Sequence, residues 1–224
     1  MILVTGAAGV LGQAVIATLV ARGEAVVAVD LAPMIPSAGQ RLSVGGIDLA
    51  DATAGAALIA QLTGTSGAGS LTGLVNVAGG FVWETVGEGG WASWERMYRI
   101  NVQTAFEATR LALPALRTSR GAIVNVSAAA TARAGAGMGA YAAAKSAVSR
   151  LTEALAAEEL TNGVRVNAVM PSVIDTPANR RDMPDADPSR WVSPSEIAEV
   201  VAFLLSPAAS GVTGALVPVV GRVI

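Results

Sequence analysis

The sequence predicts an α/β fold in which helices cover both faces of a doubly wound, parallel sheet of seven strands. Short β-branched runs alternate with longer Ala- and Leu-rich stretches of helical spacing, and this alternation is typical of βαβ crossovers. The strand candidates are almost continuously apolar, as expected for parallel strands buried on both faces. Hydrophobic residues make up 52% of the 224 positions and charged residues 14%, so we expect one domain, residues 1–224, around a large core.

The individual elements follow from these patterns. The predicted strands are Ile2–Val4, Ala25–Val29, Leu42–Ile47 (the weakest pattern), Leu74–Val77, Ala122–Val126, Val164–Val169 and Ala215–Val219. The predicted helices are Leu11–Arg22, Ala52–Leu62, Trp94–Arg117, Tyr141–Leu160 and Ser195–Leu205. Thr63–Thr72 is interpreted as a surface turn, and Asp175–Trp191, rich in Pro, Asp and Arg, as a substrate loop.

Composition excludes several classes of function. The chain contains no cysteine and no histidine, so disulfides, thiol nucleophiles, Cys/His zinc sites and histidine-based triads are excluded, and we predict no metal. A net charge of −2 with scattered arginines gives no reason to expect nucleic acid or an anionic membrane as a partner. No apolar run approaches the roughly 18 residues of a membrane span. The first residues resemble a strand rather than a signal peptide, so a cytoplasmic location is expected.

A glycine-rich turn follows the first predicted strand. Gly6, Gly9 and Gly12 permit a tight turn, close approach of backbone N–H groups to a pyrophosphate, and close packing of the helix that follows. The turn therefore predicts a Rossmann-type dinucleotide site with contacts from Gly6, Ala8, Gly9, Val10, Leu11 and Gly12. The alternative is an ordinary glycine-rich connection between a strand and a helix.

Asp30 ends the second predicted strand, 18 residues after Gly12. A carboxylate at this place accepts hydrogen bonds from the hydroxyls of an adenosine ribose and repels a 2′-phosphate. The next three residues, Leu31-Ala32-Pro33, provide no cation for that phosphate. We therefore expect NAD(H) to be favoured over NADP(H). Taken alone, Asp30 is equally well explained as a helix cap or turn residue.

The only lysine of the chain, Lys145, follows one of its two tyrosines, Tyr141, by four residues. Residues at this spacing share one face of a helix. An ammonium group beside a phenol favours the phenolate, so we expect Lys145 to lower the pKa of Tyr141 and make it a general acid–base. The alternative is a surface lysine beside a half-buried tyrosine.

Taken together, these motifs resemble the short-chain dehydrogenase/reductase family along essentially the whole chain. Further matches are Asp48-Leu49, Asn76-Val77-Ala78-Gly79, Asn101, Tyr141-Ala142-Ala143-Ala144-Lys145 and Pro171 to Thr176. The resemblance implies hydride transfer between a nicotinamide and a small-molecule carbonyl or alcohol. It also implies a homodimer or homotetramer.

The resemblance assigns roles to the matching residues. Tyr141 would transfer the proton, Lys145 would also bind the nicotinamide ribose, and Asn101 would help to hold a relay water. Cofactor contacts are implied, besides the glycine turn and Asp30, for Asp48, Leu49, Asn76, Ala78, Gly79, Pro171, Ile174 and Thr176. The family's catalytic serine would stand 13 residues before Tyr141, where this chain has Ala128. Ser127 is the candidate that replaces it, with Thr131 as a second hydroxyl.

Local features also resemble dihydropteridine reductases, which have glycines at the same spacing and work without a catalytic serine. The runs that carry this resemblance are Gly137–Tyr141 and Asp175–Asp187, together with Trp191. Reduction of a quinonoid pterin is therefore an alternative reaction, and a non-catalytic dinucleotide-binding regulator is a third possibility. The cluster of Phe81, Trp83, Trp91 and Trp94 is either an aromatic wall for a flat substrate or a packed loop anchor.

Overall fold

A computed structural model describes residues 1–34, 39–64 and 70–223. Its strands are β1 (Ile2–Thr5), β2 (Val26–Val29), β3 (Gln40–Val44), β4 (Gly73–Asn76), β5 (Ala122–Val126), β6 (Arg165–Pro171) and β7 (Leu216–Val219). Its α-helices are α1 (Val10–Ala21), α2 (Ala52–Gly64), α3 (Trp91–Tyr98), α4 (Thr104–Ser119), α5 (Gly139–Glu158), α6 (Pro177–Asp182) and α7 (Pro194–Leu205).

The seven strands form one sheet in the order β3-β2-β1-β4-β5-β6-β7, and every neighbouring pair is parallel. The chain winds outward from β1 to β3 and then returns to β4 on the other side of β1. This reversal opens a crevice at the carboxyl ends of β1 and β4, the place where doubly wound sheets bind ligands. The predicted α/β fold class is confirmed.

Two hydrophobic clusters lie on opposite faces of the sheet. Consecutive β1 residues alternate between them, with Leu3 in one cluster and Val4 in the other. The cluster that contains Val4 includes α1 and α7 residues, for example Val15 and Ile197. The cluster that contains Leu3 includes residues of α2, α4 and α5, and so both faces are covered by helices.

The predicted helix Trp94–Arg117 is three elements in the structure. α3 begins earlier, at Trp91, and α4 ends at Ser119, with a turn of π-helix, Arg99–Gln103, between them. The third strand runs over Gln40–Val44 rather than Leu42–Ile47, because the chain turns at Gly46 with a φ of +77°. Half of the predicted turn at Thr63–Thr72, namely residues 65–69, lies outside the described residues.

The predicted substrate loop contains α6 and a short 3-10 turn, Pro188–Arg190. Its two ends are held together, since Asp175 N–H donates to Val192 C=O at 2.8 Å and Val192 N–H donates to Val173 C=O at 3.1 Å. Trp191 is 6% exposed and anchors the end of the loop. No helix in the described part of the chain is long and apolar enough to cross a membrane.

Candidate active site

The glycine turn lies directly against the end of β4. Gly6 has a φ of +64°, and a Cβ at this residue would lie 2.6 Å from the amide nitrogen of Ala78. The Thr5 hydroxyl oxygen accepts hydrogen bonds from the N–H groups of Val77 and Ala78, each at 3.1 Å. The structure therefore requires glycine at position 6 and brings the two predicted cofactor segments together.

The amino end of α1 is open toward the crevice. The first backbone bond at this end runs from Gln13 N–H to Gly9 C=O at 2.9 Å, so the amides of Val10, Leu11 and Gly12 point out of the helix end. A Cβ on Gly12 would lie 2.8 Å from Ala7 Cα, which shows how closely helix and turn approach. A glycine cradle with free helix amides fits a dinucleotide pyrophosphate. The Leu11 side chain packs into the core, so its contribution to such a site is its backbone.

The Asp30 carboxylate lies at the end of β2 and connects it to the glycine turn. One oxygen accepts a hydrogen bond from Ala8 N–H and the other from Ala32 N–H, each at 2.8 Å. Two carboxylate oxygens have about four acceptor positions, so two are left for ribose hydroxyls. These bonds also place Asp30 beside the turn that it is predicted to serve.

Asp48 is held by a cation that the sequence analysis missed. Its carboxylate accepts from Arg99 at 2.6 Å and from Ala50 N–H at 2.9 Å. The hydrogen bond from Arg99 keeps the pKa of Asp48 below its usual value. Arg99 lies in the π turn, two residues before Asn101. This position next to a motif residue was the only feature of the sequence that indicated a role for Arg99. Leu49 is 6% exposed and belongs to the core.

The side chain of Asn76, a residue predicted to contact the cofactor, lies inside the fold. Asn76 is 3% exposed, and its amide donates to Asn125 Oδ1 at 2.8 Å and to Thr109 Oγ1 at 3.1 Å. Asn125 in turn donates to Thr152 Oγ1 on α5 at 2.9 Å. The side chain therefore joins β4, β5, α4 and α5 inside the fold, because it points into the helix layer rather than the crevice.

Asn101 and Lys145 both approach Gly79 at the position that a side chain would occupy. The Asn101 amide donates to Gly80 C=O at 3.0 Å and its oxygen accepts from Gly80 N–H at 3.2 Å. A Cβ on Gly79 would lie 3.3 Å from Lys145 Nζ and closer still to Asn101 Oδ1. The structure thus brings Asn101, Gly79 and Lys145 together, with the Asn101 side chain holding the loop after β4.

Burial determines the pKa values of the Tyr141–Lys145 pair, and for the tyrosine the expected direction is wrong. Burial raises the pKa of Tyr141 to about 12 and lowers the pKa of Lys145 to about 8. Lys145 is 5% exposed, and its ammonium donates to Val126 C=O at 2.8 Å. Desolvation of the phenol, rather than the charge of Lys145, therefore dominates the pKa of Tyr141 in the protein alone.

None of the three predicted positions places a free hydroxyl beside Tyr141. Ser127 is 2% exposed, and its hydroxyl bonds to Lys145 C=O at 3.0 Å and to Ser149 Oγ at 2.7 Å, both on α5. The next residue in the extended chain, Ala128, has no hydroxyl. Thr131 donates to Ala128 C=O at 2.9 Å. The Ser127 assignment is corrected to a packing role, because its hydroxyl is committed to α5.

The segment from Pro171 to Thr176 continues from the carboxyl end of β6. Ser172 donates to Val220 C=O at 2.8 Å, and Ile174 pairs with Val192 in an isolated bridge. The Thr176 oxygen accepts from Asn179 N–H at 3.1 Å and caps α6. Asn179 also donates to Ile174 C=O at 2.8 Å. Pro171, Ile174 and Thr176 therefore lie at the same carboxyl edge of the sheet as the other candidate residues.

The model of the family described as short chain dehydrogenase matches residues 1–187 of this chain. The chain belongs to the short-chain dehydrogenase family. Three relatives from named organisms match it along nearly their whole length.

The 2-(S)-hydroxypropyl-CoM dehydrogenase 3 of Xanthobacter autotrophicus is 34% identical over 99% of this chain and 95% of its own. The cis-4-hydroxycyclohexanecarboxylate dehydrogenase of Sinomonas cyclohexanicum is 36% identical over 97% and 94%. The meso-2,3-butanediol dehydrogenase of Serratia marcescens is 31% identical over 99% and 93%.

Solved structures of short-chain dehydrogenases have the same fold. A short-chain type dehydrogenase/reductase from Mycobacterium ulcerans superposes with a TM-score of 0.89 at 27% identity, covering 99% of this chain and 88% of that one. The ligand-free aldohexose dehydrogenase of Thermoplasma acidophilum gives a TM-score of 0.88 at 27% identity, covering 99% and 92%.

Membership of the short-chain dehydrogenase family makes this chain an oxidoreductase that acts on alcohol or ketone substrates with a nicotinamide cofactor. The predictions of the family and of an enzyme are confirmed.

Proposed function

We propose that this short-chain dehydrogenase uses NAD(H) to interconvert secondary alcohols and ketones, with Tyr141 as the general acid–base. The placement of Tyr141 and buried Lys145 one turn apart on α5, with Lys145 beside Gly79 at the carboxyl edge of the sheet, carries the proposal. The names of three relatives support the substrate class. Each name denotes a hydroxyl on a carbon that lies between two other carbons. The compounds named are 2-(S)-hydroxypropyl-CoM, cis-4-hydroxycyclohexanecarboxylate and meso-2,3-butanediol.

The residues of the crevice would hold the cofactor in a defined order. The Gly6–Gly12 turn would bind the pyrophosphate, and Asp30 would bind the adenosine ribose. Lys145 would bind the nicotinamide ribose. The carboxamide would be bound by the backbone near Ile174 and by the Thr176 hydroxyl. When bound, the nicotinamide supplies the hydride acceptor or donor. Asp30 supports NAD(H) over NADP(H), because its negative charge would repel a 2′-phosphate.

Tyr141 is suited to donate a proton in ketone reduction. With a pKa of about 12 it is protonated near neutral pH, so its hydroxyl can protonate the substrate oxygen. Alcohol oxidation requires the opposite transfer, and the pKa must then fall in the loaded site. Near pH 7 the Lys145 ammonium, one turn away, is the positive charge that would favour the phenolate once the site is filled.

Because Ala128 stands at the position of the family's catalytic serine, the site lacks that hydroxyl as a hydrogen-bond donor to the substrate oxygen. Among Ser127, Ala128 and Thr131, no hydroxyl is free to assist Tyr141. Tyr141 therefore supplies the hydrogen bond to the substrate oxygen without help from these three positions. We propose that Asn101 acts as a positioning residue, since it fixes Gly80 and the loop beside Lys145.

The test compares the two tyrosines of the chain. NADH formation from NAD⁺ is measured with a panel of secondary alcohols for the wild type, Tyr141→Phe and the control Tyr98→Phe, whose ring is 47% exposed on α3. We expect Tyr141→Phe to lower kcat/KM by about 10²- to 10⁴-fold, the usual contribution of a general acid–base. NADH binding and the activity of Tyr98→Phe should be unchanged. Full activity in Tyr141→Phe would overturn the proposal.

A second candidate reaction is reduction of a quinonoid dihydropterin. The observation that favours it is the commitment of the Ser127 hydroxyl to α5, since that reduction needs no serine to position a ketone oxygen. Adding quinonoid dihydropterin to the panel with NADH distinguishes the two reactions. Pterin turnover that survives Ser127→Ala, with no turnover of any ketone, would select this candidate.

We further propose that the chain assembles as a homodimer or homotetramer through α4 and α5. Its support is the family assignment, together with the 46% exposed Phe106 on α4. Light scattering of the purified protein measures the assembly directly, and a monomer at micromolar concentration would contradict it.

A further inference from the structure

Two aromatic side chains follow the glycines after β4 and are more than half exposed. Phe81 is 53% and Trp83 is 59% exposed, although both lie in the loop that leaves the carboxyl edge of the sheet beside Lys145. Exposed large apolar groups that cluster at a site are informative, because isolated ones are common but grouped ones usually bind something.

The start of α5 holds this loop in place beside Tyr141. The Phe81 ring meets the Tyr141 ring edge-on, with centroids 5.0 Å apart and an interplanar angle of 86°. Glu84 N–H donates to Gly137 C=O at 2.9 Å. The Trp83 indole covers Gly137, which has a φ of +73° and no room for a Cβ. The Phe81 ring is therefore held against Tyr141 and the Trp83 ring against Gly137, four residues before Tyr141, and each residue remains more than half exposed.

The other two tryptophans of this region, Trp91 and Trp94, contact each other. Trp91 stacks on Trp94 with centroids 6.3 Å apart and an interplanar angle of 6°. A Cβ on Gly139 would be in ordinary contact with Trp94, at 3.5 Å, so Trp94 packs on the start of α5. Trp94 therefore anchors α3 on α5, and Trp91, although 71% exposed, stacks on Trp94. Phe81 and Trp83 are the exposed rings that lie in the loop after Gly79.

Charge around the two rings disfavours an anionic ligand. Between Gly79 and Gly90 the loop carries Glu84 and Glu88 and no basic residue. Glu88 and Arg133, the latter on the loop that precedes Gly137, are both solvent-exposed, so their charges are screened, and the partly buried charge of the loop is the negative charge of Glu84. Neutral aromatic rings bind aromatic partners through edge-to-face or offset contacts.

We infer that Phe81 and Trp83 form the substrate wall, and that the substrate is an uncharged secondary alcohol or ketone with an aromatic ring on the reacting carbon. This inference rests on the proposed function. In oxidation the alcohol carbon loses a hydride to NAD⁺ and its hydroxyl loses a proton through Tyr141 to solvent. The products are an aryl ketone, NADH and a proton.

The experiment compares an aromatic and an aliphatic alcohol of equal carbon number, 1-phenylethanol and 2-octanol. The ratio of their kcat/KM values is measured for the wild type, Phe81→Leu and the matched control Phe203→Leu, whose ring is 44% exposed on α7. We expect the wild type to prefer 1-phenylethanol. Phe81→Leu should lower the ratio by about 3- to 10-fold, the range that the loss of one aromatic contact produces, and Phe203→Leu should leave it unchanged.

Each result has a defined meaning. If both alcohols are oxidised and Phe81→Leu does not change the ratio of their kcat/KM values, the inference that Phe81 and Trp83 form a substrate wall is overturned. The proposed function is kept in that case. A preference for 4-(1-hydroxyethyl)benzoate over 1-phenylethanol would overturn the inference that the substrate is uncharged. If no alcohol is oxidised, the proposed function fails. Saturation-transfer NMR with acetophenone and NADH then tests whether Phe81 and Trp83 bind an aromatic ring. Transfer to the ring protons that Phe81→Leu abolishes supports it, and unchanged or absent transfer overturns it.

Discussion

Asp30 has two roles at the level of a single residue. Its carboxylate holds the glycine turn through Ala8 N–H and the chain after β2 through Ala32 N–H. The same negative charge underlies the proposed preference for NAD(H). Asp30→Asn keeps an acceptor oxygen for one of the two amides but removes the charge.

We therefore expect Asp30→Asn to raise the efficiency with NADP⁺ relative to NAD⁺ by about 10-fold, because loss of one like-charge repulsion of ~1.4 kcal/mol has this effect. The kcat/KM values for both cofactors measure it. Asp51→Asn is the control, since Asp51 also accepts a backbone N–H, from Thr53 at 2.8 Å, but lies at the start of α2. An unchanged cofactor ratio in Asp30→Asn would show that this charge does not set the preference.

At the level of elements, the contact of α1 with the glycine turn decides whether the cradle keeps its shape. Gly12 lies in the first turn of α1, and a Cβ there would lie 2.8 Å from Ala7 Cα. Gly12→Ala should therefore push α1 away from the turn. Overpacking of this kind costs ~1–3 kcal/mol of unfolding free energy, more than alanine regains through its helix propensity.

Urea unfolding and NADH fluorescence measure the two effects of Gly12→Ala, which we expect to lower stability and to weaken NADH binding together. Gly211→Ala is the matched control, because a Cβ at Gly211 meets nothing within 4 Å. Wild-type stability and NADH affinity in Gly12→Ala would show that α1 tolerates the added methyl group.

The elements also show where sequence patterns lose information. Strand and helix alternation was sufficient to predict the sheet, because hydrophobic periodicity is a local property. The π turn at Arg99–Gln103 interrupts a pattern that is helical on both sides, and nothing local marks it. Asn101 in that turn bonds to Gly80, 21 residues earlier in the chain, so its environment depends on a long-range contact.

At the level of the whole molecule, the candidate site was predictable in position and only partly in chemistry. Motifs at the ends of β1, β2, β4 and β6 meet because parallel strands place their carboxyl ends at one edge. The Ser127 hydroxyl and the pKa of Tyr141 were not predictable, since both depend on helix and strand atoms that pack around them. Burial in the assembled fold, rather than the spacing of two residues, sets these properties.

Burial of Lys145 gives the stability of the whole protein a specific pH dependence. The pKa of this ammonium falls from 10.5 in the unfolded chain to about 8 in the fold, so between these values the unfolded state binds more protons. Stability from this group therefore rises as pH increases from about 8 to 10.5, while below pH 8 the full cost of burying the charge is present. Tyr141 acts in the opposite sense only above pH 10, where the unfolded tyrosine loses its proton first.

Lys145→Met replaces the buried ammonium by an apolar side chain of similar length. Near pH 7 we expect the variant to unfold with ~1–3 kcal/mol more free energy than the wild type, even after the Val126 carbonyl loses its donor, and to be inactive. The stability difference should shrink from pH 8 upward and be lost above pH 10.5, where the wild-type lysine is neutral in both states. Urea unfolding across this range measures it, with Arg150→Met, an exposed cation on the same helix, as the control. A variant less stable than the wild type at pH 7, or a difference independent of pH, would mean that burial of this charge does not oppose folding.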